Sequence, residues 1–476
     1  MSSVVNQPLG LSSLRDLRRK RVVVIGVGKV GLSAARLGVH LGAEVVLLDD
    51  RNAKEVLAQC PEELQSLSVQ NEWDAFSFQK DDIVALSPGV PRRRMGVQRA
   101  LAAGARLVHE LELAAAQLEL KCVLGITGTN GKSTTTALLG SILEQTFHDA
   151  ASSPGAQKLF VGGNLGPTLC DAVVNGERPQ ILALELSSYQ LETMRLLHFD
   201  GVGITNLAPD HLDRYENVAE YYSAKMSLAE LCHGPCFING KDSTLLAQLK
   251  SRSSWVILGP GGTKQIEGGA GKMRIDLNAI ASQRGIDVVK ARSDVLVGPH
   301  NLENVLLAAA LAQTAGSTHL DIQKGIEVFA GIPHRLEFLG ENGGVRFFND
   351  SKATNVDAAA TAVRSFESGI RLIVGGKGKG ASYQALLDAS DGKVSSVHCI
   401  GADGPKLHQE FSAAGFTSFF DENLTSAFTH ASKLAVSGEV LLFAPACASF
   451  DQFKNFEVRG DAFRALFLVK KEGETA

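Results

Sequence analysis

Apolar positions along the 476-residue chain come in two kinds of block, short unbroken Val/Ile/Leu runs and longer segments in which apolar residues recur at helical spacing. The short runs at 22–25, 44–48, 82–86 and 106–108 read as buried strands. A helix runs from the glycines at 26–31 through 40, and another ends near 118. Strands follow at 122–126, 180–184 and 201–205, with helices at 134–143 and 218–231 and an alanine-rich helix from the 298–304 segment to 315. Two short strands are expected at 337–339 and 345–348. Strands at 371–374, 396–400, 417–420 and 440–443 then alternate with helices at 383–389, 407–413 and 424–434. Regular alternation of strand and helix is the pattern of mostly parallel sheets with helices packed on their faces, an α/β fold. The glycine-rich stretch 251–294, with short strand-like runs, fits the pattern least. Length predicts about three domains. They are expected over 1–110 (N-terminal, Rossmann-like), 111–331 (central, P-loop ATPase-like) and 332–476 (C-terminal, Rossmann-like), with a hinge at Ile332-Pro333-His334-Arg335.

Charge and composition narrow the partners. With 47 Lys and Arg against 51 Asp and Glu, the formal net charge of -4 provides no global basic field for nucleic acid or an anionic membrane. Aromatic residues make up 6% of the chain and offer no stacking platform for single strands. Small-molecule partners are expected, with no nucleic acid and no membrane. Seven sparse cysteines without framework spacing fit a reducing compartment. Cys232-His233-Gly234-Pro235-Cys236 could suggest a metal pair, but no second ligand cluster accompanies it. The basic residues at 15–20 followed by an apolar run superficially resemble a signal peptide, yet the run is too short and leads into glycines and Lys29. No apolar stretch approaches the roughly 18 residues that span a bilayer, and a cytoplasmic location is expected.

The chemistry concentrates in a few polar loops at predicted strand ends. Gly125-Ile126-Thr127-Gly128-Thr129-Asn130-Gly131-Lys132-Ser133-Thr134 follows one strand and opens a helix, the context of a phosphate loop. Its small residues let backbone N–H groups turn onto an anion at a helix N-terminus. Lys132 supplies full positive charge, and Ser133 is placed to ligate the accompanying Mg²⁺. The strict pattern is not met, since Ile126 stands where the first glycine is expected. Gly26-Val27-Gly28-Lys29-Val30-Gly31, followed by the acidic pair Asp49-Asp50, matches a dinucleotide fingerprint, although the same glycines serve other nucleotide phosphates or plain helix–strand packing. Glu185 ends a buried strand, where ligands bind in α/β sheets; it is either a Mg²⁺ ligand, direct or through its neighbours, or a carboxylate at a helix N-terminus. The dense polar run from Asn206 to Tyr215 gives His211 weight that a lone histidine would lack. From the residues alone, Lys225 is one more solvated helical lysine.

Together these stretches resemble the Mur ligases of bacterial cell-wall synthesis over nearly the whole chain. The likeness rests on G-T-N-G-K-S-T at 128–134, E-L-S-S-Y-Q at 185–190, N-x-x-x-D-H-L-D-R-Y at 206–215 and G-P-H-N-x-x-N at 298–304. Within the family it is nearest the branch that adds D-glutamate, through G-V-G-K-V-G-L-S at 26–33, H-R-L-E at 334–337, N-D-S-K-A-T-N at 349–355 and the run 445–460. The resemblance implies an ATP-dependent ligase in peptidoglycan precursor synthesis. ATP would phosphorylate the alanyl carboxylate of UDP-N-acetylmuramoyl-L-alanine, and the D-glutamate amine would displace the phosphate. It implies catalytic roles for Lys132, Glu185, His211 and Lys225, and two Mg²⁺ ions held by Ser133, Glu185, His211 and Lys225, the last carbamylated. ATP would lie on Gly128, Thr129, Asn130, Gly131, Lys132, Ser133 and Thr134, with Asn304, Arg335 and Asp350. The UDP-sugar would be held by Lys29, Val30, Asp49, Asp50, Arg51, Ser87, Gly89 and Asn164, so the N-terminal glycines would bind no dinucleotide. D-Glutamate would meet Thr354, Ser449, Phe456 and Lys379, the last chosen over Lys377 by the match. A monomer is expected.

Rival readings explain less. Folylpolyglutamate synthetase shares the phosphate loop but not the N-terminal glycine domain. An NAD-dependent dehydrogenase leaves the Lys132 loop unused. Asn239-Gly240-Lys241-Asp242 is not the guanine-reading pattern a nucleotide switch would carry.

Overall fold

The computed structural model describes residues 10–147, 158–164, 166–211, 214–249, 255–258, 264–265, 296, 299–378 and 380–473. Three sheets carry the architecture. In the first, β1 (Arg21–Ile25), β2 (Glu44–Leu48), β3 (Ser68–Gln70), β4 (Ile83–Leu86) and β5 (Arg106–Val108) lie in the order β3-β2-β1-β4-β5, all parallel. The apolar run of β1 is continuous because both its faces are covered. Val22 and Val24 join one core with Leu14 and Leu37, while Val23 and Ile25 join the other with Trp73 and Val97.

The second sheet holds β6 (Cys122–Thr127), β7 (Leu159–Gly163), β8 (Ile181–Glu185), β9 (Gly201–Ile204), β10 (Cys236–Asn239), β11 (Trp255–Leu258) and β12 (Lys264–Gln265). Their order is β12-β11-β10-β9-β6-β8-β7, and only the β11–β12 pair is antiparallel. The chain leaves β6 for β7 and β8 on one side and later for β9 on the other. The carboxyl end of β6 is therefore a topological switch point, the place where ligands enter such sheets. The third sheet holds β13 (Glu337–Asn342), β14 (Val345–Asn349), β15 (Ile370–Gly375), β16 (Val394–Ile400), β17 (Ser418–Glu422) and β18 (Val440–Phe443), in the order β13-β14-β18-β15-β16-β17. It is parallel except for the edge hairpin β13–β14.

Several boundaries differ from the sequence pattern for local reasons. The helix after the phosphate loop begins at Lys132 and ends at Phe147, because Gly131, at φ +84°, completes the turn before it. Gly162 and Gly163 close a strand, β7, that the apolar runs do not mark. The helix expected to reach 118 spans Glu110–Ala115, started by a capping box of His109 and Glu112. Helices His319–Val328 and Val356–Arg364 are additional to the elements expected from the sequence; the second buries an alanine- and valine-rich face and is capped by Asn355, which accepts from the Ala358 N–H. Most of 251–294 lies outside the described residues, apart from β11 and β12.

Contacts divide the chain into two compact units, Met1–Ile286 with Glu303–Ile326 and Asp287–Leu302 with Glu327–Ala476. The first unit holds the first two sheets, which Glu110 and Glu112 help to join. Glu110 accepts from the Cys170 N–H at 2.7 Å, and Glu112 accepts from the Arg195, Leu196 and Leu197 N–H groups and from that of His109. Among the described residues no helix is long and apolar enough to cross a membrane.

Candidate active site

The N-terminal loops gather at the carboxyl ends of β1, β2 and β4. Gly26 has φ +85°, and a Cβ there would run into Ser87 and Val90. Ser87 Oγ donates to the Gly26 carbonyl, so this close approach locks two loops together. Asp49 accepts from the Val27 N–H at 2.6 Å and is gripped by Arg51 at 2.8 and 2.9 Å, which holds its carboxyl down at about 2. Asp50 accepts from Trp73 Nε1 at 3.1 Å and from Arg94, whose guanidinium keeps its carboxyl below the usual range. Lys29 Nζ donates to the Gly166 carbonyl at 2.8 Å, and Val30 beside it is half-buried. Gly89 has open space above its Cα. Lys29, Val30, Asp49, Asp50, Arg51, Ser87 and Gly89 thus line one end of the first sheet.

The phosphate loop is clamped by the segment after β9. Asn206 accepts from the Thr129 N–H through its carbonyl and from the Asn130 N–H through its side chain, both at 2.9 Å, and its Nδ2 donates to the Asn130 carbonyl at 2.9 Å. Thr205 Oγ1 donates to the same carbonyl. Gly128, at φ +141°, leaves no room for a side chain against Thr205, and Gly131 leaves none against Asn304. Asn304 Oδ1 accepts from Thr135 Oγ1 at 3.2 Å, which ties the helix Pro299–Thr314 to the first turn after the loop. Ser133 and Thr134 are buried in that turn. Asn206 and Thr205 lie in or beside the polar run visible in the sequence, but no sequence pattern marked them as the clamp.

Two lysines meet at one carbonyl. Lys132 Nζ donates to the Gly128 and Thr129 carbonyls at 2.9 and 2.8 Å, and Lys225 Nζ donates to the Gly128 carbonyl at 2.7 Å. Lys225 is no solvated helical lysine: it is 2% exposed. Burial first, and the charge of Lys132 second, push its amine well below the ordinary lysine range. The negative charges of Asp210 and Glu185 oppose that shift. Tyr221 lies under Lys225 Nζ at 4.7 Å and reaches Thr129 Oγ1 at 3.2 Å. His211, at φ +55°, presents its ring to Tyr221 at 6.0 Å and to Tyr189 at 5.0 Å.

Glu185 shows what this region can hold. Asn164 Nδ2 donates to its Oε1 at 2.8 Å, while Oε2 is buried with no hydrogen-bond partner among the described residues. An unpaired buried carboxylate oxygen is costly. At the end of β8, where Glu185 pairs with Ile126 of the strand that leads into the glycine-rich loop, it fits a hard divalent cation, which takes oxygen ligands.

In the second unit the remaining candidates sit at the ends of three adjacent strands. Asp350 follows β14, is fully buried, accepts from the Leu336 N–H at 3.2 Å and has its carboxyl raised by burial, with Arg335 pulling it back. Thr354 is half-buried four residues on, and its N–H donates to the Lys352 carbonyl at 2.8 Å. Ser449 follows β18 and is buried, its carbonyl accepting from the Phe453 N–H at 2.8 Å; Phe456 opens the last helix. The backbone of Lys377, after β15, pairs with Ala448 in both directions at 2.8 and 3.0 Å, leaving its side chain exposed. Lys379 lies outside the described residues, as do Leu212 and Asp213 of the polar run.

Two other clusters carry no metal geometry. His398 Nδ1 and His430 Nδ1 lie 2.7 and 2.8 Å from Asp421. Ligands sharing one tetrahedral ion stand about 3.3 Å apart, so the group is a hydrogen-bonded triad. Cys232 donates to the Gly234 carbonyl of its own loop at 3.4 Å, and no metal-holding group includes it among the described residues.

Three family models match the chain in succession: "Mur ligase MurD-like, N-terminal domain" over 20–109, "Mur ligase middle domain" over 126–312 and "Mur ligase, glutamate ligase domain" over 334–447. The chain belongs to the Mur ligase family, and with it to the α/β ligases built on three such domains. Its relatives include the UDP-N-acetylmuramoylalanine--D-glutamate ligase of Myxococcus xanthus strain DK1622, 38% identical, with 94% of this chain and 98% of that one covered. The proteins of the same name from Acidobacterium capsulatum and Koribacter versatilis are 36% and 35% identical, each over 96% of this chain and over 98% and 99% of theirs. Among solved structures, the UDP-N-acetylmuramate-alanine ligase MurC of Thermotoga maritima shares the fold at a TM-score of 0.54 and 17% identity, covering 95% of this chain and all of that one.

Proposed function

We infer that this chain is an ATP-dependent ligase that joins D-glutamate to UDP-N-acetylmuramoyl-L-alanine in peptidoglycan precursor synthesis. The observation that carries the reading is the buried Glu185 carboxylate, with one oxygen held by Asn164 and the other without a partner, in the same sheet end as Lys132 and Lys225. The names of the relatives supply the acceptor and the UDP-sugar.

A carboxylate is a poor electrophile, so the alanyl carboxylate oxygen attacks the γ-phosphorus of ATP and ADP leaves. The amine of D-glutamate then attacks the acyl-phosphate carbonyl, the C–O bond to phosphate breaks, and the amide forms with loss of a proton. The protein's share is positioning and charge neutralisation. Backbone N–H groups from Gly128 to Thr134 cradle the phosphates, and Lys132, now folded onto its own loop, swings to them. Asn304, Arg335 and Asp350 are the proposed remaining nucleotide contacts. Lys29, Val30, Asp49, Asp50, Arg51, Ser87 and Gly89 hold the uridine diphosphate, and Asn164 orients the acyl group. Thr354, Lys379, Ser449 and Phe456 receive D-glutamate. Domain limits at 110 and 331 follow the same assignment.

Ser133, Glu185, His211 and Lys225 are the proposed ligands of two Mg²⁺ ions, which when bound offset phosphate charge. Lys225 serves after carbamylation. Its amine, shifted toward the neutral form by burial and by Lys132, attacks CO₂; the new N–C bond forms as an oxygen takes the electron pair, and the nitrogen proton goes to solvent. The carbamate then offers oxygen where an ammonium offers none. A monomer in the cytoplasm, where ATP and UDP-sugars are available, completes the reading.

Phosphate release by the purified chain with UDP-N-acetylmuramoyl-L-alanine, D-glutamate and Mg-ATP tests it. Release that requires all three supports the assignment, and release indifferent to D-glutamate refutes it.

A further inference from the structure

The helix Phe456–Gly473 starts against the loops that end β14, β15 and β18, and one side chain, Arg459, runs beneath all three. Arg459 is 1% exposed. Its Nε donates to Ser351 Oγ at 3.1 Å, its Nη2 to the Ser351 carbonyl at 2.9 Å and its Nη1 to the Cys447 carbonyl at 3.1 Å. Ser351 Oγ passes the link on, donating to the Phe456 carbonyl at 2.8 Å. Gly376 forms the remaining wall: a Cβ there would stand 3.1 Å from Nη1 and would collide with the Ala448 carbonyl. The glycine at φ +133° therefore makes room for the guanidinium as well as for the backbone turn.

Among the described residues none of its hydrogen-bond partners is a carboxylate. Burial draws the guanidinium down to about 10, with only Cys447 and Asp451 acting the other way, and Asp451 is exposed. A buried cation without a counter-ion is expensive. An aliphatic side chain would fill the same space without that cost, so packing alone does not account for an arginine. The rigid fork does account for it, because it fixes two loops at once, and so does a positive field under a pocket that must accept an anion. Ser351 lies three residues before Thr354, and Cys447 two before Ser449. Phe456 is three residues before Arg459 itself. Every described segment that carries a proposed acceptor contact is tied to this one guanidinium.

We propose that Arg459 is the positioning residue of the acceptor pocket: its fork holds the Ser351 and Cys447 loops at the spacing the amino acid's carboxylates need, and the bound acceptor balances its charge. This rests on the acceptor assignment above. Arg459 does not touch the substrate; it acts through the backbone it holds.

The test is a comparison of Arg459→Lys and Arg459→Met with wild type in the phosphate-release assay, varying each substrate in turn. Arg459→Lys keeps the charge and loses the fork. It should raise the KM for D-glutamate about 10- to 100-fold, the range for losing a charge-assisted hydrogen bond, while the KM values for ATP and the UDP-sugar stay within about two-fold. Arg459→Met, which loses the charge too, should be worse for D-glutamate; if it fails to fold, Arg459→Lys still decides. D-Glutamate should also slow hydrogen exchange at the Ser351 and Cys447 loops in wild type and not in Arg459→Lys. An unchanged KM for D-glutamate in Arg459→Lys, or a parallel loss on all three substrates, would overturn the proposal. If the wild type turned over with another acidic amino acid instead, the D-glutamate reading would fall, and the Arg459 comparison would be read on that acceptor.

Discussion

Glu110 and His109 are sequence neighbours, buried together, whose protonation runs in opposite directions. Burial raises the Glu110 carboxyl from 4.5 to about 7 and lowers the His109 imidazole from 6.5 to about 4. For Glu110 the folded chain keeps a proton that the unfolded chain releases. Its contribution to stability is full below about pH 4.5 and is lost as pH rises through 7. For His109 the unfolded chain takes up a proton that the folded chain refuses, so its contribution is full above 6.5 and is lost as pH falls towards 4. The gap is about 2.5 in pKa for each group (7 against 4.5, 6.5 against 4), or roughly 3 kcal/mol. Between pH 4.5 and 6.5 the two slopes cancel. Glu110→Gln removes one arm. The amide oxygen can still accept from the Cys170 N–H, so a constant offset remains from its new NH₂ group. Relative to wild type, the variant should therefore gain about 3 kcal/mol on going from pH 4.5 to pH 8, and its own stability should now fall as pH drops below 6.5. Native-state hydrogen exchange of the amides around Glu110 and Cys170, read in the full chain at several pH values, follows this unit without assuming two-state unfolding of the whole protein. A stability difference between variant and wild type that is the same at both ends of the range would refute the argument.

Lys132→Ala should leave the fold intact and cut turnover about 10²- to 10³-fold, the usual cost of one preorganised charge contact; a well-folded variant with the wild-type rate would remove this loop from the reaction. Lys225→Ala should abolish most activity and regain part of it when a short carboxylic acid supplies the missing oxygen ligand, whereas full activity without additives would make carbamylation irrelevant. Lys379→Ala should raise the KM for D-glutamate by about two orders of magnitude, in line with losing one partner of a desolvated ion pair, while Lys377→Ala stays mild. The reverse order would shift the assignment by two residues along the loop.

Strand runs such as 44–48 and 440–443 were legible to the residue, because their consecutive Val, Leu and Phe positions are buried on both faces and charged residues, Glu44 and Glu439, mark where the apolar runs begin. The turn from β6 into its helix was legible for a related reason: glycines able to take positive φ stand with other small residues at consecutive positions there. Family membership, too, followed from short motifs that each occupy a single loop. The environment of Lys225 was not legible. Its helix shows no local pattern that distinguishes a solvated lysine from one buried against Gly128, and 97 residues separate the two partners. The Asn206 clamp, the unpartnered oxygen of Glu185 and the tie from Arg459 to Ser351 were hidden for the same reason. Each depends on which strands become neighbours, with β6 set between β8 and β9 and β18 between β14 and β15. The sequence by itself determined where elements start and which loops carry chemistry, since those are local choices of backbone conformation and burial. Which buried charges face one another was decided only by the crossovers between strands, and with it the protonation of Lys225, Glu110 and Asp350, because desolvation and Coulomb terms depend on distance through space and not along the chain.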